Sequence, residues 1–325
     1  MNSRVIGHVT TRDAVVITGS DAATFLQGQI SADVLALALG DGVATLVLAP
    51  QGKLVAWARV TRLGDERFRL DVETGFGGAV LERLSRFKIR VTADLEPHQV
   101  TAVQLLGAGA QSAAESIAAS VLGSLGQSVT PVPGLWSTTD AVDVLVEAGP
   151  STAGPSAISP ADVLHAAAEA AGVDLVDHGA MAARRIAARV PAMGSELDTD
   201  TIPAEAGVWL VNDSVSFTKG CFVGQELVAR VDSRGSNTPR RLRRLSGTGH
   251  TELGDRLWLG DKDVGTLTSV AVDPAGITTA LAMLHRSVSE GDLVSVGTAG
   301  GATRLLVDGP VTGPADGPPV TQQES

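Results

Sequence analysis

The apolar positions along the chain follow two different periodicities, and their alternation predicts a mixed α+β protein. Runs of strand type occupy Ala14–Thr18, Ala44–Ala49 and Leu54–Arg62. The turn residues of Pro50-Gln51-Gly52-Lys53 separate the last two runs, so a hairpin is expected there. The segment Phe76–Phe87 instead carries apolar residues at helical spacing. We therefore expect antiparallel strands that are combined with helices.

The middle of the chain continues this mixture of periodicities. We predict helices over Gly107–Leu125 and Ala161–Ala171, where apolar residues recur at helical spacing. Strand-like patterns occur at Lys88–Leu95 and Ala141–Glu147. The apolar residues of Val208–Phe217 predict a further extended segment.

The pattern changes from Arg240 onward to short strands separated by turns of Gly and Asp, which predicts a small β-rich domain of barrel or sandwich type. The last stretch is rich in Gly and Pro and can bury little, so a flexible tail is expected. A length of 325 residues also favours two or three domains over one. We therefore divide the chain into an α+β region (residues 1–239), a barrel domain (residues 240–308) and a tail (residues 309–325).

The composition narrows the class of partner. A net charge of −11 argues against a general basic surface, so no nucleic-acid partner is expected. No apolar run approaches the ~18 residues of a membrane span, and the first residues lack the apolar segment of a signal peptide. A cytoplasmic protein without a membrane partner is therefore expected. The six histidines show no pair at metal-ligand spacing, so no metal site is predicted.

The single cysteine, Cys221, stands in the segment KGCFVGQE (Lys219–Glu226). Apolar residues at helical spacing follow it, so the thiol is expected just before a helix. There the positive helix end and the cation of Lys219 favour the thiolate. Gly220 and Gly224 permit tight or left-handed backbone and leave room for a ligand. The alternative is that Cys221 is a small buried apolar residue, as free cysteines often are.

With its continuation LVARVDSRG, this segment resembles the signature of the YgfZ family, folate-binding relatives of the T-protein (aminomethyltransferase) of the glycine cleavage system that support iron-sulfur enzymes. Three further stretches resemble the same family: FLQGQISADV (Phe25–Val34), LAPQGKLVA (Leu48–Ala56) and RIAARVPAMGSELDTDTIPAEA (Arg185–Ala206). The resemblance implies an α+β, three-part architecture of T-protein type, with mixed antiparallel sheets and helices and a small C-terminal β-barrel around a central folate pocket. Residues 1–239 would then be the folate-binding region, built as two intertwined α+β subdomains.

The resemblance also implies a set of site residues. Cys221 and Lys219 would face the pocket as the catalytic pair, and tetrahydrofolate or a folate derivative would be the cofactor. Arginines can hold the carboxylates of a folate tail, whereas glutamine and aspartate suit the pterin edge. The expected cofactor-binding residues are Gln29, Asp33, Gly220, Gly224, Gln225, Glu226, Arg230 and Arg234. The plainer interpretation makes Gln29 and Asp33 helix caps and the arginines a solvated face.

Two departures from the family pattern decide the expected function. The aminomethyltransferases carry paired aspartates in the first hairpin, one of them catalytic, whereas Lys53–Trp57 here contains no acid. The family often has Glu-Ala-Gly where this chain has Ala187-Ala188-Arg189. We therefore expect a tetrahydrofolate-binding accessory protein that supports assembly or repair of iron-sulfur clusters, with iron-sulfur client or assembly proteins as partners. A folate-dependent one-carbon (aminomethyl-type) transferase is the alternative, and an interaction protein that keeps only the fold is a third.

Overall fold

The computed structural model describes residues 4–136, 140–147, 159–233 and 238–308. It contains an eight-stranded sheet with helices packed on its outer face, followed by a closed six-stranded barrel. The predicted α+β class and the C-terminal barrel are thus confirmed. The tail predicted for residues 309–325 lies outside the described residues.

The large sheet takes up most of the first part of the chain. Its strands are β1 (Ile6–Thr18), β2 (Gly42–Leu48), β3 (Leu54–Gly64), β4 (Arg67–Glu73), β5 (Asp94–Leu106), β6 (Val132–Pro133), β7 (Ala141–Glu147) and β8 (Asp174–Leu175). The spatial order is β2-β3-β4-β1-β5-β7-β6, with antiparallel pairing throughout, and β8 pairs in parallel with β1. The predicted hairpin is the β2-β3 pair.

Seven α-helices accompany the strands in the described residues. They are α1 (Ala22–Gln29), α2 (Gly77–Arg86), α3 (Ala110–Leu125), α4 (Pro160–Ala170), α5 (His178–Ala187), α6 (Val208–Ser214) and α7 (Gln225–Ser233). The predictions for α2, α3 and α4 are confirmed to within a few residues. At the start of α4 the Ser159 hydroxyl accepts a hydrogen bond from the Ala161 amide, with Pro160 in the first turn. None of these helices has the length and apolar character needed to cross a membrane.

Apolar and charged residues alternate along β4, so the sheet has one apolar face and one polar face. Phe68, Leu70 and Val72 are buried in an apolar core with residues of α1 and α2. Because neighbouring side chains of a strand point to opposite faces, Asp71 and Glu73 must lie on the other side. A second apolar core, on the outer face of β5 and β7, packs against α3 and α4.

The sheet curls so strongly that its inner face encloses a polar interior. Arg59 on β3 reaches Asp143 on β7, with 2.9 Å between Nη1 and Oδ2, although three strands separate β3 from β7 in the sheet. The two edges of the sheet also meet, because Gly42 of β2 lies against Val132 of β6. Side chains inside the curl therefore contact one another across the sheet, and the two open ends of the curl are the natural places for cavities.

The barrel follows the sheet in sequence. Its strands are β9 (Arg240–Thr248), β10 (Arg256–Leu259), β11 (Lys262–Val272), β12 (Ile277–His285), β13 (Leu293–Val296) and β14 (Arg304–Val307), closed in the order β10-β11-β12-β9-β14-β13. Leucine and valine side chains fill its interior. A small apolar cluster joins it to the rest of the protein, since Ile186 of α5 packs on Leu242, Leu281 and Met283.

Two local predictions are wrong. The strand expected over Lys88–Leu95 begins only at Asp94, because the chain turns before it and Arg90 adopts a positive φ of 55°. The segment Val208–Phe217 was expected to be extended, but its first part is α6. The apolar residues at 208–211 are consecutive, so their pattern does not distinguish a strand from a short buried helix.

Candidate functional site

A cavity of about 360 Å3 opens at one end of the curled sheet, and we call it the central cavity. Strands β1, β3, β4 and β5 form one wall, and α5 with the loop after it forms the other. The lining residues with polar or aromatic side chains are His8, Thr10, Thr11, Arg12, Trp57, Glu73, Thr74, Gln104, Trp136, His178, Arg185 and Ser195. This volume lies within the range of about 300–1,000 Å3 that is usual for small-molecule sites.

Arg12 brings a buried positive charge to the wall of the central cavity. Its side chain is only 4 % exposed, and its Nε donates a hydrogen bond of 2.8 Å to Asp71 Oδ2. The Nη2 atom is buried and has no hydrogen-bond partner among the described residues. An unpaired buried donor costs free energy, and an acceptor that reached it from the cavity would reduce this cost.

Glu73 brings a carboxyl group to the same wall. Burial raises its pKa, and the nearby guanidinium groups of Arg12 and Arg185 oppose this shift only in part. Its Oε1 atom accepts a hydrogen bond of 3.3 Å from the Met193 amide. A carboxyl group with a raised pKa can act as a donor or an acceptor towards a bound ring system.

Arg185 ties the cavity wall to the barrel. Its Nη1 atom lies 2.9 Å from Glu196 Oε2, and its Nη2 donates to the Ser269 hydroxyl at 2.7 Å. The other oxygen of Glu196 accepts from Ser269 at 2.6 Å and from Thr268 at 2.8 Å. Since Glu196 is fully buried, these donors satisfy a carboxylate that would otherwise be costly. The network fixes the position of the Arg185 side chain at the cavity.

Aromatic rings give the central cavity flat apolar surfaces. Trp57 lines it from β3, and its Nε1 donates a hydrogen bond of 3.1 Å to the Ser214 hydroxyl, which fixes the ring. Trp136 also lines it. The imidazole rings of His8 and His178 lie close together at the cavity, with centroids 5.8 Å apart and ring planes tilted by 54°. Planar ligands stack well on such surfaces.

The cysteine loop, Lys219–Gly224, forms a separate feature. The Lys219 ammonium group donates to the carbonyl oxygens of Ile30 (2.6 Å) and Ala32 (2.7 Å), so it holds the loop against the chain after α1. Burial lowers the pKa of Lys219 to about 8, although Asp33 opposes the shift. Cys221 is exposed, so the alternative of a buried apolar cysteine does not describe it.

The two glycines of the loop have different surroundings. Gly224 has a φ of +85°, and a Cβ there would lie 2.7 Å from the Ala49 carbonyl oxygen and from Leu48 Cβ. The backbone of the β2-β3 hairpin therefore occupies the space that we expected a ligand to use at this position. Gly220 has open space around it and no positive φ.

The other predicted site residues make contacts within the protein. Gln29 accepts a hydrogen bond from Arg83, Asp33 accepts one from Gln27, and the Gln225 side chain accepts one from the Phe222 amide. Glu226 is exposed on α7, which also carries Arg230. Arg234 and the side chain of Arg230 lie outside the described residues. The assignment of all these residues to a folate stays a prediction.

The described residues of the cysteine loop are not among those that line the central cavity. None of the predicted site residues with a described side chain lines that cavity. Nothing in the local sequence marks Arg12, Glu73 and the two histidines as site residues. Arg185 carried a signal, since it begins a stretch that resembles the family, whereas Trp57 ends the stretch that departs from it. Among the described residues, no group of three or more His, Cys, Asp or Glu side chains is placed to hold a metal ion.

The chain matches known proteins both in sequence and in fold. No protein-family model matches it. A protein of Vibrio vulnificus named tRNA-modifying protein YgfZ is 27% identical over 245 residues, which cover 72% of this chain and 67% of that protein. An uncharacterized protein of Haemophilus influenzae is 26% identical over 231 residues, 70% of this chain and 69% of that protein. The solved structure of the glycine cleavage system aminomethyltransferase T from Bartonella henselae superimposes with a TM-score of 0.71 at 17% identity, covering 95% of this chain and 86% of that one.

The protein is a relative of the YgfZ proteins with the T-protein fold. The predicted three-part architecture of this fold is thereby confirmed. In this YgfZ-type relative, the hairpin stretch without an acid, Lys53–Trp57, places an indole ring on the wall of the central cavity. The acid of that cavity comes instead from Glu73, at the end of the neighbouring strand.

Proposed function

We propose that the protein binds tetrahydrofolate, or a related folate, in the central cavity, and that it acts as an accessory protein for iron-sulfur clusters in client enzymes. One observation carries the ligand part of this proposal. The cavity combines two indole rings, a buried guanidinium with an unpaired Nη2 and a carboxyl group with a raised pKa. A folate carries the complementary groups, namely flat rings, a polar amino-pyrimidine edge and a tail with carboxylates.

Each wall of the cavity suits one part of such a ligand. The ring of Trp136 offers a stacking surface to the planar systems, and Trp57, only 3 % exposed, adds apolar contact at the wall. Glu73 can exchange hydrogen bonds with the amino-pyrimidine edge. The free Nη2 of Arg12 can receive a carboxylate. A bound folate would thus satisfy the buried donor that the protein leaves unpaired.

The chemistry of the hairpin favours an accessory role over glycine-type aminomethyl transfer. Trp57 ends the stretch where the aminomethyltransferases carry paired aspartates, and an indole cannot take their proton-transfer role. Cys221 adds an exposed thiol that a partner protein can reach. A single cysteine can hold a cluster only together with ligands from another chain or molecule. An accessory role fits these three facts together.

The names of the curated relatives fit this proposal in one specific way. Several of them, including the one from Vibrio vulnificus, are called tRNA-modifying proteins. A chain with a net charge of −11 has little general attraction for the phosphate backbone of tRNA. We therefore assign the tRNA chemistry to a cluster-dependent client enzyme, which this protein would support.

The ligand part can be tested by isothermal titration calorimetry with tetrahydrofolate under anaerobic conditions. We expect saturable binding by the wild type and about tenfold weaker binding by Glu73→Gln, because one hydrogen bond to a charged or polarised group is lost. Glu82→Gln, an exposed change on α2, is the matched control and should bind like the wild type. No binding by the folded wild type would disprove the folate proposal.

The accessory part can be tested in a host that lacks its own relative. The readout is the activity of a cluster-dependent tRNA-modifying enzyme after expression of the wild type or of Cys221→Ala. Rescue by the wild type alone would make the thiol the working group. Equal rescue by both would place the function in the cavity or on a partner surface. No rescue by either, with both proteins expressed and folded, would disprove the accessory role.

Folate-dependent one-carbon transfer is the second candidate, and the T-protein fold together with the cavity carboxyl of Glu73 supports it. This candidate requires catalytic turnover. Incubation with tetrahydrofolate and an aminomethyl thioether donor, whose transferred carbon is already at the oxidation level of formaldehyde, should then give methylenetetrahydrofolate, ammonia and the free thiol in many cycles per protein molecule. Glu73→Gln should abolish this turnover. A stoichiometric effect on clients without turnover would contradict it.

A further inference from the structure

A second cavity, of about 800 Å3, lies away from the cysteine loop, and we call it the distal cavity. Its polar lining includes Thr61, Arg62, Arg67, Arg69, His98 and Glu147. It shares none of its lining residues with the central cavity. No residue proposed above for folate binding or cluster support belongs to it, so its role must be argued separately.

The distal cavity is the other end of the curled sheet. Arg67, Arg69, Asp71 and Glu73 alternate along β4 and therefore share the inner face of the curl. Glu73 lines the central cavity and Asp71 is fully buried between the ends. Arg67 and Arg69 emerge at the opposite end, where they line the distal cavity.

The carboxylates near the distal cavity do not balance its arginines. Glu147 accepts a hydrogen bond of 2.7 Å from Arg67 Nη2, and the same carboxylate is the ion-pair partner of Arg69, at 3.8 Å from Nη1. Asp71 also attracts Arg69 electrostatically, but its hydrogen bonds go to Arg59 and Arg12. Two guanidinium groups thus share one carboxylate, which leaves an excess of positive charge.

Two buried polar atoms at the distal cavity also lack partners. Arg69 is only 5 % exposed, and its Nε atom has no hydrogen-bond partner in the described part of the chain. The hydroxyl group of Thr61, which is 2 % exposed, has none either. Burial lowers the pKa of Arg69, as expected for a cation that its surroundings do not fully compensate. Both atoms lie just beneath the accessible surface, so they show that this wall contains polar groups that the described residues do not satisfy.

The remaining walls indicate what else the ligand carries. Leu39, Leu63, Val129 and Leu145 line the cavity beside the arginines. Its volume exceeds what an inorganic anion needs and lies in the range of small organic ligands. We propose that the distal cavity binds a small organic oxyanion, whose carboxylate or phosphate group pairs with Arg67 and Arg69 beside Glu147 and whose body rests on these apolar side chains.

Histidine resonances can test this proposal on the full chain. His98 lines the distal cavity, whereas His8 and His178 line the central one. In proton NMR titrations, citrate, glycerol 3-phosphate and inorganic phosphate serve as probes, and glycerol serves as the uncharged control. We expect a saturable shift of the His98 Hε1 resonance with at least one organic anion, no comparable shift of His8 or His178, and no response to glycerol. The His98 signal is identified from its loss in His98→Gln.

Matched variants test whether the arginines of the distal cavity bind the anion that shifts the His98 resonance. Arg67→Gln removes a partly exposed guanidinium at the rim, so the fold should survive, and it should weaken binding about tenfold. Arg86→Gln removes an exposed arginine of α2 and should bind like the wild type. Citrate binding without glycerol 3-phosphate binding would identify a carboxylate ligand, and the reverse a phosphate ligand.

Three results would overturn the proposal. They are the absence of a saturable His98 shift with both organic anions, an equal shift with glycerol, and unchanged affinity in Arg67→Gln. Tetrahydrofolate binding at the central cavity is measured on different residues, so either proposal can fail while the other stands.

Discussion

Arg59 and Asp71 form a two-point ion pair inside the curled sheet, with 3.0 Å between Nε and Oδ1 and 2.9 Å between Nη2 and Oδ2. Both side chains are fully buried. The remaining Nη1 atom of Arg59 donates to the Pro133 carbonyl oxygen and to Asp143. Arg12 approaches Asp71 from the side of the central cavity. This network replaces the apolar packing that usually fills the interior of a curled sheet.

Asp71→Asn should destabilise the protein by about 3–5 kcal/mol, because it leaves two buried guanidinium groups without their carboxylate. The free energy of unfolding, measured by urea denaturation with circular dichroism, reports this loss. Glu82→Gln breaks an exposed ion pair on α2 and should change the stability little. Equal stability of Asp71→Asn and the wild type would show that the network contributes nothing to the fold.

The protein should lose stability in acid because the Asp71 carboxylate becomes protonated. Burial alone would raise the pKa of Asp71, but Arg59, Arg12 and Arg69 outweigh it and lower the pKa to about 2. A carboxyl group whose pKa is lower in the folded state stabilises the fold above its unfolded pKa of about 4, and this contribution is lost as the pH falls towards 2. Unfolding free energies measured between pH 6 and pH 2 should therefore fall more steeply for the wild type than for Asp71→Asn. Parallel curves would contradict the assigned pKa.

Gly224→Ala and Gly220→Ala form a matched pair in the cysteine loop. The first variant places a Cβ at a positive φ and against the hairpin backbone, so a loss of about 1–3 kcal/mol is expected. The second adds its methyl group to open space and should stay within about 0.5 kcal/mol of the wild type. Thermal and urea unfolding of both variants measure the difference. Similar losses in the two variants would mean that the hairpin does not fix the loop.

Lys219 should titrate near pH 8, since burial lowers its pKa to about that value. A lysine whose folded pKa is lower than its unfolded pKa favours the neutral amine in the folded state. Its contribution to stability therefore increases as the pH rises from about 8 to about 10.5. Acylation followed by mass spectrometry should show half-maximal reactivity of Lys219 near pH 8, with Lys53, Lys88 and Lys262 as internal references. A profile that coincides with theirs would contradict the prediction.

Local patterns predicted most of the secondary structure but not the interior of the sheet. The β2-β3 hairpin follows from its turn residues, and α4 follows from the Ser159-Pro160 start. The strand RFRLDVE of β4 alternates charged and apolar residues, which normally indicates one solvated face. The curl of the sheet buries both faces, and this long-range arrangement leaves no trace in the sequence of a single strand.

The lining of the central cavity was not predicted, for the same reason. The cavity collects Arg12, Glu73 and Arg185 from distant elements, and only the folded chain brings them together. The cysteine loop is continuous in sequence, so its motif was recognisable. The role of this loop towards a folate stays a prediction.

Glu196 limits how independent the barrel can be. Its buried carboxylate takes hydrogen bonds from Ser269 and Thr268 of the barrel and pairs with Arg185 at the central cavity. A chain truncated before Arg240 would keep the carboxylate but lose both hydroxyl donors. The barrel looks like a separable module in sequence, yet one acid makes it a structural component of the central cavity, so the two parts of the chain are constrained to evolve together.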